Sequence, residues 1–245
     1  MIRLILALIL ILFYLILSMP LLLIFWLLSK ITPRARYWYQ RMGQVLLVTI
    51  WFVCGAKPTI IGKEKIPKDT AVLFVGNHES YFDVILAYSL MIGPTAFVAK
   101  DAFKKIPVLS WNMRFLNCLF IDRENMRQGV RTIMQAADLA KEGTSIFIFP
   151  EGTRNKSGDE MNLAPFHDGS FKVAQRGKVP IVPVSFNNTA EIFENHAPKV
   201  KSAKVVIEFG DPVAWEDMDK DTQKHVGEHF RQIILDMMTK NRELV

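Results

Sequence analysis

The chain has 245 residues, 50% of them hydrophobic and 22% charged, with two Cys, 13 Gly and 12 Pro. That balance excludes a disordered chain, a disulfide scaffold and a collagen-like repeat, and leaves room for one α/β domain with a sizeable core. The net charge of +6 is an N-terminal feature: residues 1–44 hold Arg3, Lys30, Arg34, Arg36 and Arg41 and no acidic side chain, leaving 25 basic against 24 acidic residues beyond them, a distribution that points to a membrane and away from a nucleic-acid footprint.

In chain order, residues 4–28 (LILALILILFYLILSMPLLLIFWLL) are free of charge and long enough as a helix to cross a hydrocarbon core of about 30 Å. A secretory signal has an apolar region of about 7–15 residues ending at a small-residue cleavage site, and this run matches neither feature. Next come Lys30, Arg34, Arg36 and Arg41, interleaved with Tyr37, Trp38 and Tyr39, the mixture expected of a loop among lipid headgroups; the positive-inside bias puts it and the following domain on the cytoplasmic side. A second apolar stretch, 45–56, is short for a crossing. Two arrangements fit: one crossing plus an interfacial segment, or a helical hairpin dipping into one leaflet. The expected division is a membrane anchor over 1–56 and a catalytic domain over 57–245. Cys54 and Cys118 lack a CxxC or metal-ligand context and read as buried, reduced thiols.

From residue 57 onward, short β-rich runs alternate with helical patterns, predicting a sheet with crossover helices. Strands are predicted near 59–61, 71–75, 96–99, 118–121, 145–149, 181–186 and 205–209, and helices near 83–91, 102–115, 127–142, 169–176 and 222–239. Polar chemistry clusters just past these strands: Asn77 and His78 after AVLFVG, Lys100 after TAFVA, Asp122 and Arg123 after CLFI, and PEGTR after SIFIF. Open α/β sheets bind ligands at the carboxyl ends of their strands, so parallel pairing would bring all four clusters to one rim.

In NHESYFD, His78 and Asp83 are five residues apart, about 140° around an ideal helix, so they meet only if His78 lies in a loop and Asp83 opens the next helix. Asp83 would then hold one ring nitrogen and leave the other as a base. The plainer alternative makes Asn77 and Asp83 helix caps and His78 a satisfied buried side chain. In FPEGTR, Gly152 lets backbone approach a ligand, and Arg154 can grip phosphate through parallel hydrogen bonds; the plainer alternative is a turn bearing a surface Glu and Arg. Lys100 and Arg123, alone, are strand-end charges, whereas three cations and a histidine at successive strand ends suggest a phosphorylated substrate beside a base.

No GxSxG, HExxH or GxxxxGK[ST] is present, so serine hydrolase, zincin and P-loop chemistry have no motif behind them. Ser80 is too close in sequence to His78 to line up as its nucleophile. His78 and Asp83 lack further ligands at metal-binding spacing, and His225 and His229 read as surface residues. Acyl transfer from a thioester to a hydroxyl fits this inventory, because it needs a base above all.

Four ordered blocks, NHESYFD (77–83), LFIDR (119–123), FPEGTRN (149–155) and VPIVPVSF (179–186), resemble those of the glycerolipid acyltransferases over roughly residues 57–215. Within that superfamily, the short chain and membrane N-terminus are similar to the 1-acyl-sn-glycerol-3-phosphate acyltransferases. The resemblance implies His78 as general base and Asp83 as the residue that orients it. Lys100, Arg123, Glu151, Gly152 and Arg154 would shape the site for the acceptor's glycerol phosphate. It implies an α/β fold, a mostly parallel sheet of about seven strands with helices on both faces, behind an N-terminal hydrophobic helical anchor. It implies no metal or bound cofactor, with acyl-CoA or acyl carrier protein as co-substrate and lysophosphatidic acid and membrane phospholipids as partners. Glycerol 3-phosphate, or another lysophospholipid, is the alternative acceptor, and a non-catalytic phospholipid-binding module is the alternative outside enzymes. One departure stands out: His167, Asp168 and Gly169 occupy positions where many relatives carry two basic residues and a glycine, and His167 reads as an ordinary exposed residue.

Overall fold

A computed structural model describes residues 1–122 and 124–245; Arg123, one of the expected site residues, lies outside the described residues. Two helices open the chain, α1 (Ile2–Leu28) and α2 (Arg34–Cys54). They run antiparallel: the Phe25 ring meets Tyr39 at 5.3 Å, and the Arg3 guanidinium reaches the Gly55 turn at the far end. α1 is long and apolar enough to cross a membrane, and only 6% of its most apolar window is buried; a few of its side chains, Ala7 with Leu4 and Ile11, join the core.

The basic and aromatic segment expected as a headgroup loop is instead the first half of α2, which starts at Arg34. The reason is tertiary. Tyr39, Gln40 and Gln44 are buried. Gln44 Nε2 donates to the carbonyls of Tyr88 (2.8 Å) and Met91 (2.9 Å). Gln40 donates to Gly93 O and accepts from Thr95 N. A helix that looks polar in sequence is therefore spending its amides on orphan backbone groups of the domain. The expected division after residue 56 falls one residue inside the first strand, which starts at Ala56, and α2 is docked on the domain.

Beyond α2 the chain forms β1 (Ala56–Ile61), β2 (Leu73–Gly76), α3 (Tyr81–Leu90), β3 (Thr95–Lys100), α4 (Pro107–Phe115), β4 (Leu119–Ile121), α5 (Met126–Lys141), β5 (Ser145–Ile148), α6 (Lys172–Gly177), β6 (Ile181–Asn187), β7 (Ala203–Phe209), α7 (Lys220–Lys224) and α8 (Val226–Asn241). All seven predicted strands are present. The helix predicted over 102–115 is divided, with a 3-10 turn before Pro107 opens α4; proline has no N–H to continue a helix but suits its first position. The helix predicted over 222–239 bends at His225 into α7 and α8.

Among the described residues the strands make one α/β sheet in the order β1-β7-β6-β2-β5-β3-β4. Every pairing is parallel except β6 with β7. Alternation along buried strands feeds two cores, one per face. Phe74, Phe147, Val182 and Val184 pack with Phe82 and Leu86 of α3 and Ile50 of α2. Leu73, Val75, Ile146 and Ile181 pack with Ala136 of α5, Val173 of α6 and Phe230 of α8. Parallel β2, β5, β3 and β4 end on the same rim, which fulfils the condition for gathering the strand-end clusters. Cys54 and Cys118 are buried free thiols.

Gln44→Leu should leave Met91 O without a donor and Tyr88 O with only the long 3.4 Å bond from Met91 N, at a cost of about 1–3 kcal/mol for the unsatisfied carbonyl. The expected result is an unfolding midpoint several degrees below wild type in detergent, roughly 2–4 °C per kcal/mol for a chain of this size. An unchanged midpoint would mean that α2 is not fixed to the domain by these bonds.

Candidate active site

The strand β2 ends in Gly76, and Asn77 then locks the rim: its Nδ2 donates to Phe186 O at 2.9 Å and its Oδ1 accepts from Phe186 N at 2.8 Å. Asn77 is thus a tie between β2 and β6, not a helix cap. The cap is Ser80, whose Oγ accepts from Phe82 N at 3.0 Å, and Asp83, third residue of α3, returns the bond to Ser80 N. This reciprocal pattern sets the start of α3 at Tyr81, two residues earlier than predicted, and leaves His78 in the loop. Ser80 is fully buried, which fits a cap and not a nucleophile.

The histidine and aspartate that sequence spacing allowed to meet do meet. His78 Nδ1 lies 2.8 Å from Asp83 Oδ2, with the His78 side chain 15% exposed and that of Asp83 0% exposed. Asp83 Oδ2 also accepts the N–H of Glu79 and Ser80, each at 2.8 Å, and Oδ1 accepts the Thr189 hydroxyl. A carboxylate with four donors around it accepts a hydrogen bond from Nδ1–H and leaves the lone pair on Nε2. Among the described residues Nε2 has no hydrogen-bond partner. The imidazole stacks on Phe149 at 4.1 Å and 20°, so its plane is fixed by an aromatic ring as well as by the carboxylate.

FPEGTR folds as a turn after β5, with Gly152 in the left-handed region at φ 74°, a conformation that glycine adopts without strain. The glycine is required by the turn itself. Glu151 departs from the expectation of a residue facing substrate. It is buried, 5% exposed, with one oxygen on His78 N (2.7 Å) and the other on Ala164 N (3.0 Å). Its carboxylate spans the two loops beneath the histidine, because those backbone donors have no strand partner. Burial pushes Glu151 up to about 7 against the pull of the two N–H groups. Asn155 N donates to His78 O at 2.6 Å, so the turn and the histidine loop are joined on both sides.

Arg154 lies beside this junction. Its guanidinium sits 3.8 Å from the Tyr81 ring centroid, and Nη1 donates to Glu194 Oε1 at 3.0 Å. Glu194 also accepts Tyr81 N (2.8 Å) and Ser80 Oγ (2.7 Å). One acidic side chain therefore links the start of α3 to the arginine, leaving most of the five guanidinium donors for other partners. Lys100, at the end of β3, is exposed on the same rim. A cavity of about 440 Å³ opens here, lined by Arg154, Lys156, Glu79, Glu160, Asn188 and Glu194 among others, and His78 is not in its wall. A larger hollow of about 590 Å³ lies at the opposite rim, bounded by Thr95, Ser145 and Val179, and is remote from these groups.

Three residues in this arrangement were not anticipated: Glu79, Thr189 and Glu194. Glu79 is buried and accepts Thr189 N at 2.8 Å; burial, then the neighbouring Asp83, push it up to about 8. His167 is exposed, and Asp168 accepts Gly227 N at 2.8 Å at the start of α8, a structural tie. His225 and His229 are exposed. Among the described residues no group of three or more His, Cys, Asp or Glu side chains could hold a metal ion.

A family model described as Acyltransferase matches residues 57–187, just over half of the chain, and covers both loops of the site. The chain belongs to the acyltransferase family. The 1-acyl-sn-glycerol-3-phosphate acyltransferase of Saccharomyces cerevisiae is 26% identical over 185 residues, which are 75% of this chain and 60% of that protein. A "Probable 1-acyl-sn-glycerol-3-phosphate acyltransferase" of Mycoplasma genitalium is 32% identical over 212 residues, 80% of this chain and 76% of that one. The matched part thus spans little more than half of the longer yeast relative. The crystal structure of the 1-acyl-sn-glycerophosphate (LPA) acyltransferase PlsC from Thermotoga maritima aligns over 98% of both chains with a TM-score of 0.80 at 23% identity, which establishes the shared fold, N-terminal helices included. Thr189 and Glu194 lie beyond the residues that the acyltransferase family model matches.

The Glu151 value has a consequence for stability. A carboxyl raised from 4.5 to about 7 in the folded state binds its proton more tightly there than in the unfolded chain. Its contribution is therefore full below about pH 4.5 and is lost as pH rises toward 7, an effect of about 3 kcal/mol between the limits. Glu151→Gln should make the fall of the unfolding midpoint between about pH 5 and 7 shallower than in wild type. Parallel wild-type and variant curves would show that Glu151 is ionised throughout.

Proposed function

We propose that the chain is a membrane-bound 1-acylglycerol-3-phosphate O-acyltransferase: it moves an acyl group from acyl-CoA or acyl carrier protein to the sn-2 hydroxyl of lysophosphatidic acid, giving phosphatidic acid. The observation that carries this reading is the 2.8 Å contact between His78 Nδ1 and a fully buried Asp83, in a loop joined directly to the turn that presents Arg154. Family membership and the printed names of the relatives support the choice of reaction.

In the proposed mechanism His78 Nε2 removes the proton of the sn-2 hydroxyl as that oxygen attacks the thioester carbonyl. The tetrahedral centre collapses, the C–S bond breaks, and the sulfur leaves as a thiol after taking the proton from the imidazolium. Asp83 holds the imidazole and offsets its transient positive charge. No covalent acyl-enzyme and no resident cofactor or metal takes part. The acceptor phosphate lies against the free N–H groups of Arg154, with Lys100 and Arg123 as further cations. Tyr81 and Glu194 keep the guanidinium in place, and Gly152 shapes its turn. A protonated Glu79 keeps the neighbouring wall from repelling a phosphate near neutral pH.

The two N-terminal helices suit a lipid acceptor. α1 turns Leu12, Phe13, Ile16 and Leu23 outward, so its apolar face lies in the leaflet while α2 grips the domain, and the basic residues from Lys30 to Arg41 favour the cytoplasmic face. A single-chain phospholipid meets the rim at the headgroup plane. Glycerol 3-phosphate as acceptor would need no such placement, and that favours the lysophospholipid.

His78→Ala should lower turnover by about 10² to 10⁴, the usual worth of general-base help, measured as thiol release by the membrane-bound protein with lysophosphatidate and each donor. Retained turnover would overturn the assignment. Arg154→Ala should instead raise KM for lysophosphatidate with a smaller effect on kcat; an unchanged KM would remove Arg154 from the phosphate site.

A further inference from the structure

Asp83 divides its donors unevenly. Oδ2 receives His78 Nδ1 and the N–H groups of Glu79 and Ser80, whereas among the described residues Oδ1 receives only the hydroxyl of Thr189. Rotation about the Cβ–Cγ bond would carry Oδ2 off its three donors and away from the imidazole, and a hold on the other oxygen opposes that rotation. Thr189 is placed to prevent this. It is fully buried, and it follows β6, the strand adjacent to β2, after Asn188 turns the chain at φ 64°. Its own backbone N–H is pinned to Glu79 Oε1 at 2.8 Å.

We infer that Thr189 is a positioning residue of the transfer reaction, its hydroxyl fixing the plane of Asp83 and through it the direction of the His78 imidazole. The inference rests on the reading of His78 as the base. It adds a residue 106 positions from Asp83 in sequence, on a different element from either member of the pair.

The hydroxyl has one hydrogen and two carboxyls within reach, since Thr189 Oγ1 is also 2.9 Å from Glu79 Oε1. Both cannot receive it in full. Glu79 Oε1 already receives two backbone N–H groups, from Thr189 and Ala190, whereas among the described residues Asp83 Oδ1 has no other donor. The groups facing Glu79 are acidic, Asp83 on α3 and Glu160 in the loop after β5, and with burial they favour its protonated form, up to about pH 8. A neutral Glu79 is the weaker acceptor of the two, so the Thr189 hydroxyl donates to Asp83.

The experiment compares Thr189→Val, which keeps the shape and deletes the hydroxyl, with Thr189→Ser, which keeps the hydroxyl and deletes the methyl, in full-length protein in lipid vesicles. The expected result is a fall in kcat of about tenfold to a hundredfold for T189V, the scale of a misplaced catalytic group, with KM for lysophosphatidate within about twofold and T189S recovering most of kcat. Thr189→Ala replaces T189V in the same comparison should the latter not fold, as judged by its unfolding midpoint. Wild-type kcat in the hydroxyl-free variant, or equal losses in T189V and T189S, would overturn the inference. His78→Ala is measured alongside: if it is inactive while T189V is normal, only Thr189 loses its role, whereas an active H78A removes the base itself.

Discussion

The site is organised around one buried anion. Asp83 is 0% exposed, and a carboxylate in that position is tolerated only when its lone pairs are filled. Four donors fill them: an imidazole, two backbone N–H groups of the same loop, and a hydroxyl from the segment after β6. Each bond has a second consequence. The N–H of Ser80 completes the cap of α3, the N–H of Glu79 curls the loop, and the imidazole is left with one nitrogen turned outward. Desolvation of a single charge thus dictates the start of a helix, the path of a loop and the tautomer of a histidine. Removing the carboxylate would disturb all three at once, so its loss cannot be read as the loss of a base-orienting group alone.

The sheet supplies what the anion needs. β2 stands between β5 and β6, and because all three run parallel, the loops that follow them converge. From β5 comes the turn with Glu151 and Arg154, and from β6 come Thr189 and Glu194. Two carboxylates, Glu151 below and Glu194 beside, tie these loops to the histidine loop by accepting backbone or hydroxyl donors. Irregular backbone at a rim would otherwise be the most mobile part of the molecule. Here its donors are satisfied by acidic side chains reaching across from neighbouring loops, which gives preorganised geometry without adding secondary structure.

Much of this was legible in the residues. Strand runs such as SIFIF and PIVPV are apolar on both faces, as buried strands in a covered sheet are, and a spacing of five between His78 and Asp83 lets the two meet only with a loop before a helix. The resemblance to the acyltransferases then ordered the blocks. What stayed hidden depends on partners distant in sequence. Glu194 sits in an ordinary polar stretch, ENH, and Thr189 follows two asparagines; neither has a signal until β6 is known to lie beside β2. Glu151 read as a possible surface residue because nothing local shows that two backbone N–H groups need an acceptor there. The start of α2 was read as a loop for the same reason: buried glutamines look like headgroup-facing ones until the carbonyls of Tyr88, Met91 and Gly93 come into view.

α3 joins the apolar N-terminal end of the molecule to the candidate site. α3 carries Asp83 in its first turn, and the carbonyls at and just past its carboxyl end, Tyr88 and Met91, are held by Gln44 of α2. α2 in turn lies along α1, whose Ser18 Oγ accepts from Asn112 Nδ2 of α4 at 3.1 Å. The apolar helix is therefore fastened to the domain on two sides, through α2 and through α4, and is not a tether on a flexible linker. In a bilayer, a tether would fix only how far the site can stray from the surface, whereas a hairpin bonded to α3 would also fix its height and tilt. Under the proposed function the acceptor's single acyl chain would be anchored in lipid with its reacting hydroxyl at a nearly constant depth, and a base held at constant depth would avoid a search along the membrane normal. Docking the hairpin against α3 would suit such a substrate, and the inner face of α2 achieves it with two kinds of contact, apolar ones through Ile50 and Cys54 and hydrogen bonds from the buried glutamines to the carbonyls of Tyr88, Met91 and Gly93.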